Sequence, residues 1–178
     1  MSPGRAPNRR RAEAAVLLGT AAVVYAADQL TKGLVVANID IGQRVDVVGD
    51  LVQLWHAENS GAAFSLLQNG QLLFVVVSLF ALALITYFFR TLRGRSLGIF
   101  VLLGLVLGGT LGNFTDRLRH GKVTDFVSVG IGELRWPTFN VADSSIVIGI
   151  LAFVVLLTLF DGGQRSGERS GASQEGGA

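Results

Sequence analysis

Gly108-Gly-Thr-Leu-Gly-Asn-Phe-Thr-Asp-Arg117 ends an apolar run of glycine, leucine, valine and isoleucine in a cluster of polar side chains, and leads on to Val123-Thr-Asp-Phe126. Asn113, Asp116, Arg117 and Asp125 are groups that a bilayer tolerates only with compensation. A second cluster, Phe139-Asn-Val-Ala-Asp143, opens the next apolar run. Ionisable groups at membrane depth are expensive, so each one marks a candidate functional site. The remainder of the chain reads as apparatus for holding Asp125 and Asp143 near each other.

Outward from this stretch, four apolar runs are visible: Ala14–Ala27, Leu72–Phe89, Leu97–Phe114 and Val141–Phe160. The last three each approach the ~20 residues that a helix needs to cross a hydrocarbon core. The first follows a basic segment, as in a secretory signal peptide. Asp28-Gln-Leu-Thr-Lys32 and three further runs follow it, which favours a retained span. The composition agrees: half of the 178 residues are hydrophobic and 16% are charged, against about a quarter charged in a soluble domain. The expected fold is an α-helical polytopic membrane protein, with four transmembrane helices and a small antiparallel β-sheet cradle on the outer face.

Orientation follows from the arginines. Arg90-Thr-Leu-Arg-Gly-Arg-Ser96 between the second and third runs is basic, as is the N-terminus with Arg5, Arg9, Arg10 and Arg11. The positive-inside rule puts both in the cytoplasm, and an even number of spans returns the C-terminus there. Residues 1–13 are expected to be a disordered basic arm and 161–178 a disordered polar tail, flanking a membrane domain over 14–160. Its outer segments lie at about 33–71 and 115–140. In the first, Val45–Val48 and Leu51–Trp55 read as strands of the cradle.

With this topology the polar groups fall on one side: Asp28 and Lys32, Asn59, then Asn113, Asp116 and Arg117, then Asp125, then Asn140 and Asp143. Individually they have ordinary readings. Asp28 and Lys32 are spaced as a helix ion pair, Asn140 and Asp143 as a helix cap, and Gly104, Gly108 and Gly112 as a close-packing stripe. Collectively they leave too many acids at one interface. If Lys32 neutralises Asp28 and Arg117 neutralises Asp116, Asp125 and Asp143 remain without cations and share a proton. One can then act as general base on a water while the other donates to a carbonyl oxygen.

The absence of cysteine excludes disulfides and thiolate chemistry, and two histidines without an H-E-x-x-H pattern give no metal site. No cofactor is expected. A net charge of +2 without an aromatic-basic face gives no nucleic-acid partner. Other readings of the same residues are an ion-coupled transporter, a membrane scaffold assembled through the glycine stripe, and a Ser–Lys peptidase using Lys32 with Ser60 or Ser65.

Five segments, in order, resemble the bacterial lipoprotein signal peptidases (signal peptidase II): Asp28–Lys32, Asn59-Ser-Gly-Ala-Ala-Phe-Ser65, Gly108–Arg117, Val123–Phe126 and Phe139–Asp143. The resemblance implies an aspartic endopeptidase of the bacterial inner membrane, with its active site toward the periplasm. Its substrates would be diacylglyceryl-modified prolipoproteins, cut just before the lipidated cysteine. It places the catalytic pair on Asp125 and Asp143. Supporting positions fall on Asp28, Lys32, Asn59, Gly61, Asn113, Asp116, Arg117 and Asn140, with Asn59, Asn113 and Arg117 orienting substrate or acids and Asn140 fixing the loop before Asp143. Membrane lipids are the other expected partners, and a monomer is the expected state.

Overall fold

A single glycine-rich helix forms the centre against which the other helices lean. The computed structural model describes residues 5–60, 70–156 and 158. Its elements are helix α1 (Arg5–Asn38), strands β1 (Arg44–Val48) and β2 (Val52–Asn59), helices α2 (Gly70–Thr91) and α3 (Leu97–His120), strands β3 (Val123–Ile131) and β4 (Leu134–Arg135), and helix α4 (Val141–Leu156). Gly61 and Ser65 lie outside the described residues, as does the polar tail.

The small residues of α3 set its packing on two sides. A Cβ on Gly104 would sit 2.7 Å from the Leu17 carbonyl oxygen, and one on Gly108 would sit 2.6 Å from that of Ala21, so both glycines admit the α1 backbone. Gly109 does the same for α4, where a Cβ would lie 2.5 Å from the Ala142 oxygen. The stripe read in the sequence therefore serves α1, and the offset Gly109 serves α4. Gly108→Ala is expected to cost about 1–3 kcal/mol of stability, seen as a lower thermal midpoint in detergent. Gly98→Ala, whose methyl meets only Ser96 Oγ at 3.6 Å, should leave the midpoint unchanged or raise it.

Two apolar clusters lie on either side of the polar residues along α1. One joins Leu17, Ile85, Ile99, Phe100 and Leu103 of α1, α2 and α3. The other joins Val35 and Ile39 at the far end of α1 to Phe126 on β3. Among the described residues, two helices are long and apolar enough to cross a membrane, Asn8–Asn38 and Leu97–His120, while Val75–Thr91 and Val141–Leu156 are shorter apolar helices.

The strands form one antiparallel sheet in the order β1-β2-β3-β4. The cradle expected within the first outer segment therefore recruits β3 from the second. Both long helices also run further than the apolar runs that mark them. The first continues to Asn38, and α3 continues to His120, where Gly121 in the left-handed conformation (φ 71°) ends it by donating its N–H to the Arg117 carbonyl.

The expectation of a disordered arm over residues 1–13 is corrected for residues 5–13, which form the first turns of α1. The reason is a local anchor. Arg9 pairs with Glu13 one turn on (3.4 Å), and Glu13, only 1% exposed, accepts the Gly94 N–H at 2.9 Å.

Candidate active site

Backbone pairing brings the two acids of the motif together. In β3, Phe126 and Val127 donate N–H bonds to the Phe139 carbonyl (3.0 and 2.8 Å), and Phe139 N–H returns to the Val127 carbonyl (3.1 Å). Asp125 therefore lies beside the segment that enters α4. Asn140 caps that helix reciprocally: its Oδ1 accepts the Asp143 N–H at 2.9 Å, and its own N–H reaches Asp143 Oδ2 at 3.2 Å. The capping reading of Asp143 is thus realised, and it fixes the rotamer of the carboxylate.

Asn140 also joins the two acids, because its Nδ2 donates to Asp125 Oδ1 at 2.7 Å. The other Asp125 oxygen accepts from Asn59 Nδ2 at 2.9 Å. Asn59 sits two positions along β2 from Ala57, the cross-strand partner of Asp125, so both side chains share one face of the sheet. On the opposite flank Asn113 Nδ2 donates to Asp143 Oδ1 at 2.7 Å. Three amides from three elements thus point N–H donors at two carboxylates.

Lys32 on α1, held by aspartates on α1 and α3, orients one of those amides. Lys32 Nζ donates to Asn113 Oδ1 at 2.9 Å, which turns the Asn113 amide so that its nitrogen faces Asp143. Lys32, 4% exposed, is held between Asp28 and Asp116, at 2.8 Å from each. Asp28 in turn accepts the Ala142 N–H at the start of α4 (2.9 Å), and a Cβ at Gly112 would collide with its carboxylate. Gln29 completes the group by donating to Asp116 Oδ1 at 3.0 Å and Asp28 Oδ2 at 3.2 Å. Gln29 was not among the expected site residues, although it stands inside the Asp28–Lys32 motif.

The expected cation pairing is corrected. Lys32 serves both Asp28 and Asp116, and the Arg117 guanidinium lies in the field of Asp143 and Asp125 before that of Asp116. Arg117 also donates to the Asn113 carbonyl at 3.4 Å. The acid pair therefore has a cation in its field. The cause of proton uptake changes too: burial pushes the Asp125 carboxyl up to about 6, the Asn59 hydrogen bond opposes that rise, and the Asp143 charge adds to it. Lys32 is engaged by two acids, and Ser60, which follows β2, is exposed, so among the described residues no serine is set against a lysine general base; Ser65 lies outside them.

Comparison with known proteins gives the family. Residues 20–160 match the family model described as signal peptidase (SPase) II. The chain belongs to the signal peptidase II family. It is 43% identical over 167 residues to the lipoprotein signal peptidase of Rhodococcus jostii (strain RHA1), covering 89% of this chain and 79% of that protein. It is 36% identical over 150 residues to that of Bacillus subtilis (strain 168), covering 84% and 96%. A bacterial membrane enzyme solved in meso at 1.9 Å superimposes with a TM-score of 0.74 at 30% identity, covering 79% of this chain and 91% of the other. A second, solved at 2.3 Å, gives 0.71 at 30% identity, covering 82% and 88%. As a signal peptidase II the chain is an aspartic endopeptidase of the membrane that acts in lipoprotein signal-peptide processing, which ends the transporter and scaffold readings.

Proposed function

We propose that Asp125 and Asp143 are the catalytic pair, and that this peptidase cuts diacylglyceryl-modified prolipoproteins just before the lipidated cysteine. The observation that carries this is the Asn140 bridge, whose side-chain amide binds one carboxylate while its backbone N–H binds the other. Asp125, buried on a strand, holds the proton and donates it toward the scissile carbonyl oxygen. Asp143, at the amide-rich start of α4, takes a proton from the attacking water. Each carboxylate oxygen of Asp125 has one amide partner, so lone pairs remain for water and substrate. Asn59 and Asn113 hold the acids, Asn140 joins them, and Asp28, Lys32 and Asp116 hold Asn113 and the start of α4. Gly61 is proposed as a substrate-side position on the family resemblance alone.

The four helices are read as four spans in the bacterial inner membrane, with both termini cytoplasmic and the sheet and acids toward the periplasm. The basic segments at one end of the bundle and the acid cluster at the other support this orientation. The domain limits proposed are a membrane domain over 14–160, with its N-terminal turns ordered from residue 5, followed by a polar tail. The chain is proposed to work as a monomer, with substrate acyl chains left among membrane lipids.

The test is mass spectrometry of the products from a diacylated prolipoprotein and its unlipidated counterpart. Cleavage is expected immediately before the modified cysteine, in the lipidated precursor only. Equal cutting of both would remove the lipid requirement from the reading.

A pH profile checks the proton assignment. Because protonated Asp125 is the working form, kcat/KM should fall as pH rises through about 6. Asn59→Leu removes a hydrogen bond that stabilises the charged form, so this alkaline limb should move to higher pH. A limb that moves down, or stays in place, would assign the proton elsewhere.

A further inference from the structure

We propose that the end of the helix bundle remote from the acids is a binding site for the phosphodiester headgroups of anionic phospholipids, formed by Arg10, Arg90 and Arg95 around a latch. The proposal goes beyond the peptidase reading, and it rests on the same membrane crossing.

The latch consists of Arg9, Glu13 and the turn between α2 and α3. Arg9 Nη2 donates to the Gly94 and Arg95 carbonyls at 2.5 and 3.1 Å, and Glu13 Oε1 accepts the Gly94 N–H at 2.9 Å. Two basic segments some 80 residues apart in sequence are thereby fixed side by side. Their charges accumulate, because the carboxylate between them, Glu13, is buried and already engaged. Arg93 lies over the Phe89 ring, 5.4 Å from its centroid. Arg10, Arg90 and Arg95 are exposed, and no carboxylate among the described residues pairs with any of them.

Depth selects the partner. Arg90 is in the last turn of α2, and Ser96, accepting the Gly98 N–H, caps the start of α3. The guanidiniums therefore flank the ends of apolar helices, at the level where a bilayer presents its phosphates. A planar guanidinium fork binds phosphate oxygens in pairs, and each basic side chain near an anionic surface strengthens binding roughly fivefold.

The experiment uses the full chain in a neutral detergent, titrated with phosphatidylglycerol or phosphatidylcholine and followed by thermal unfolding and by native mass spectrometry of bound lipid. Phosphatidylglycerol should raise the unfolding midpoint and remain bound, whereas phosphatidylcholine should do neither. The triple variant R10Q/R90Q/R95Q should bind phosphatidylglycerol about 100-fold more weakly, and R10K/R90K/R95K should retain part of the binding. Equal responses to both lipids would overturn the proposal, as would undiminished binding by the glutamine variant. Competition by millimolar inorganic phosphate or glycerol phosphate would make this a free-anion site and overturn the lipid assignment. Prolipoprotein processing by the glutamine variant in neutral detergent should match wild type. Failure of wild type itself to process would count against the peptidase reading and leave the lipid result legible.

Discussion

Asp125→Asn and Asp143→Asn are each expected to lower processing of a diacylated prolipoprotein by about 10²- to 10⁴-fold, the range associated with loss of a positioned acid or base. In the proposed mechanism the two acids do different work, so neither amide can substitute. An amide at position 125 could still donate a hydrogen bond but could not deliver a proton, and one at position 143 could not accept a proton from water. The fold should survive both changes. Asp125 is 2% exposed, and burial pushes its carboxyl up to about 6. The folded state thus binds this proton more tightly than the unfolded chain. The charged form therefore costs stability increasingly as pH rises from the ordinary carboxylate range through about 6. Removing the charge at neutral pH offsets the hydrogen bond that the new amide nitrogen would lose to Asn59 or Asn140, itself worth about 1 kcal/mol. At position 143 the amide keeps one acceptor for the Asn140 N–H, and a weakened cap costs on the order of 1 kcal/mol. Thermal midpoints within a few degrees of wild type, together with lost processing, are the expected result. Substantial residual cleavage by either folded variant would take that residue out of the catalytic pair.

How far the sequence discloses this arrangement depends on what each residue contacts. Asp143 was legible as a candidate because charge at the start of a long apolar run has few structural explanations, and Asp125 because it follows the polar cluster that ends the third run. The strands over Val45–Val48 and Leu51–Trp55 were legible from β-branched runs between glycines. The partnership of β2 with β3 was not, because register between segments some 65 residues apart leaves no local trace. Cation pairing failed for a related reason. Sequence spacing puts Arg117 next to Asp116 on α3, but side chains one residue apart on a helix diverge, and Asp116 turns to Lys32 on α1. Gln29 was missed because a neutral amide carries no charge to count, although its two carboxylate partners come from α1 and α3. The N-terminal arm looked disordered from composition alone. Its order comes from Glu13 meeting a backbone N–H 81 residues away.

Lys32→Met is expected to have the second-largest effect, by a route that separates stability from catalysis. Lys32 touches neither acid of the pair by hydrogen bond; it binds Asp28, Asp116 and the Asn113 oxygen. Without it, Asp28 and Asp116 face each other as buried like charges. Breaking a buried ion pair from one side costs roughly 3–5 kcal/mol, so the thermal midpoint should fall sharply. Adding Asp116→Asn removes one of the stranded charges and should recover part of that loss. Activity should not return with it. The Asn113 amide would have lost the ammonium donor that keeps its oxygen inward, leaving only the Asn140 donor at 3.2 Å, and its nitrogen would no longer be held toward Asp143. A misplacement of about 1 Å at a reacting group costs on the order of 100-fold, and that deficit should persist in the double variant. If the double variant regained both stability and processing, Lys32 would serve only to neutralise its aspartates, and the orientation of Asn113 would have to come from Asn140 alone.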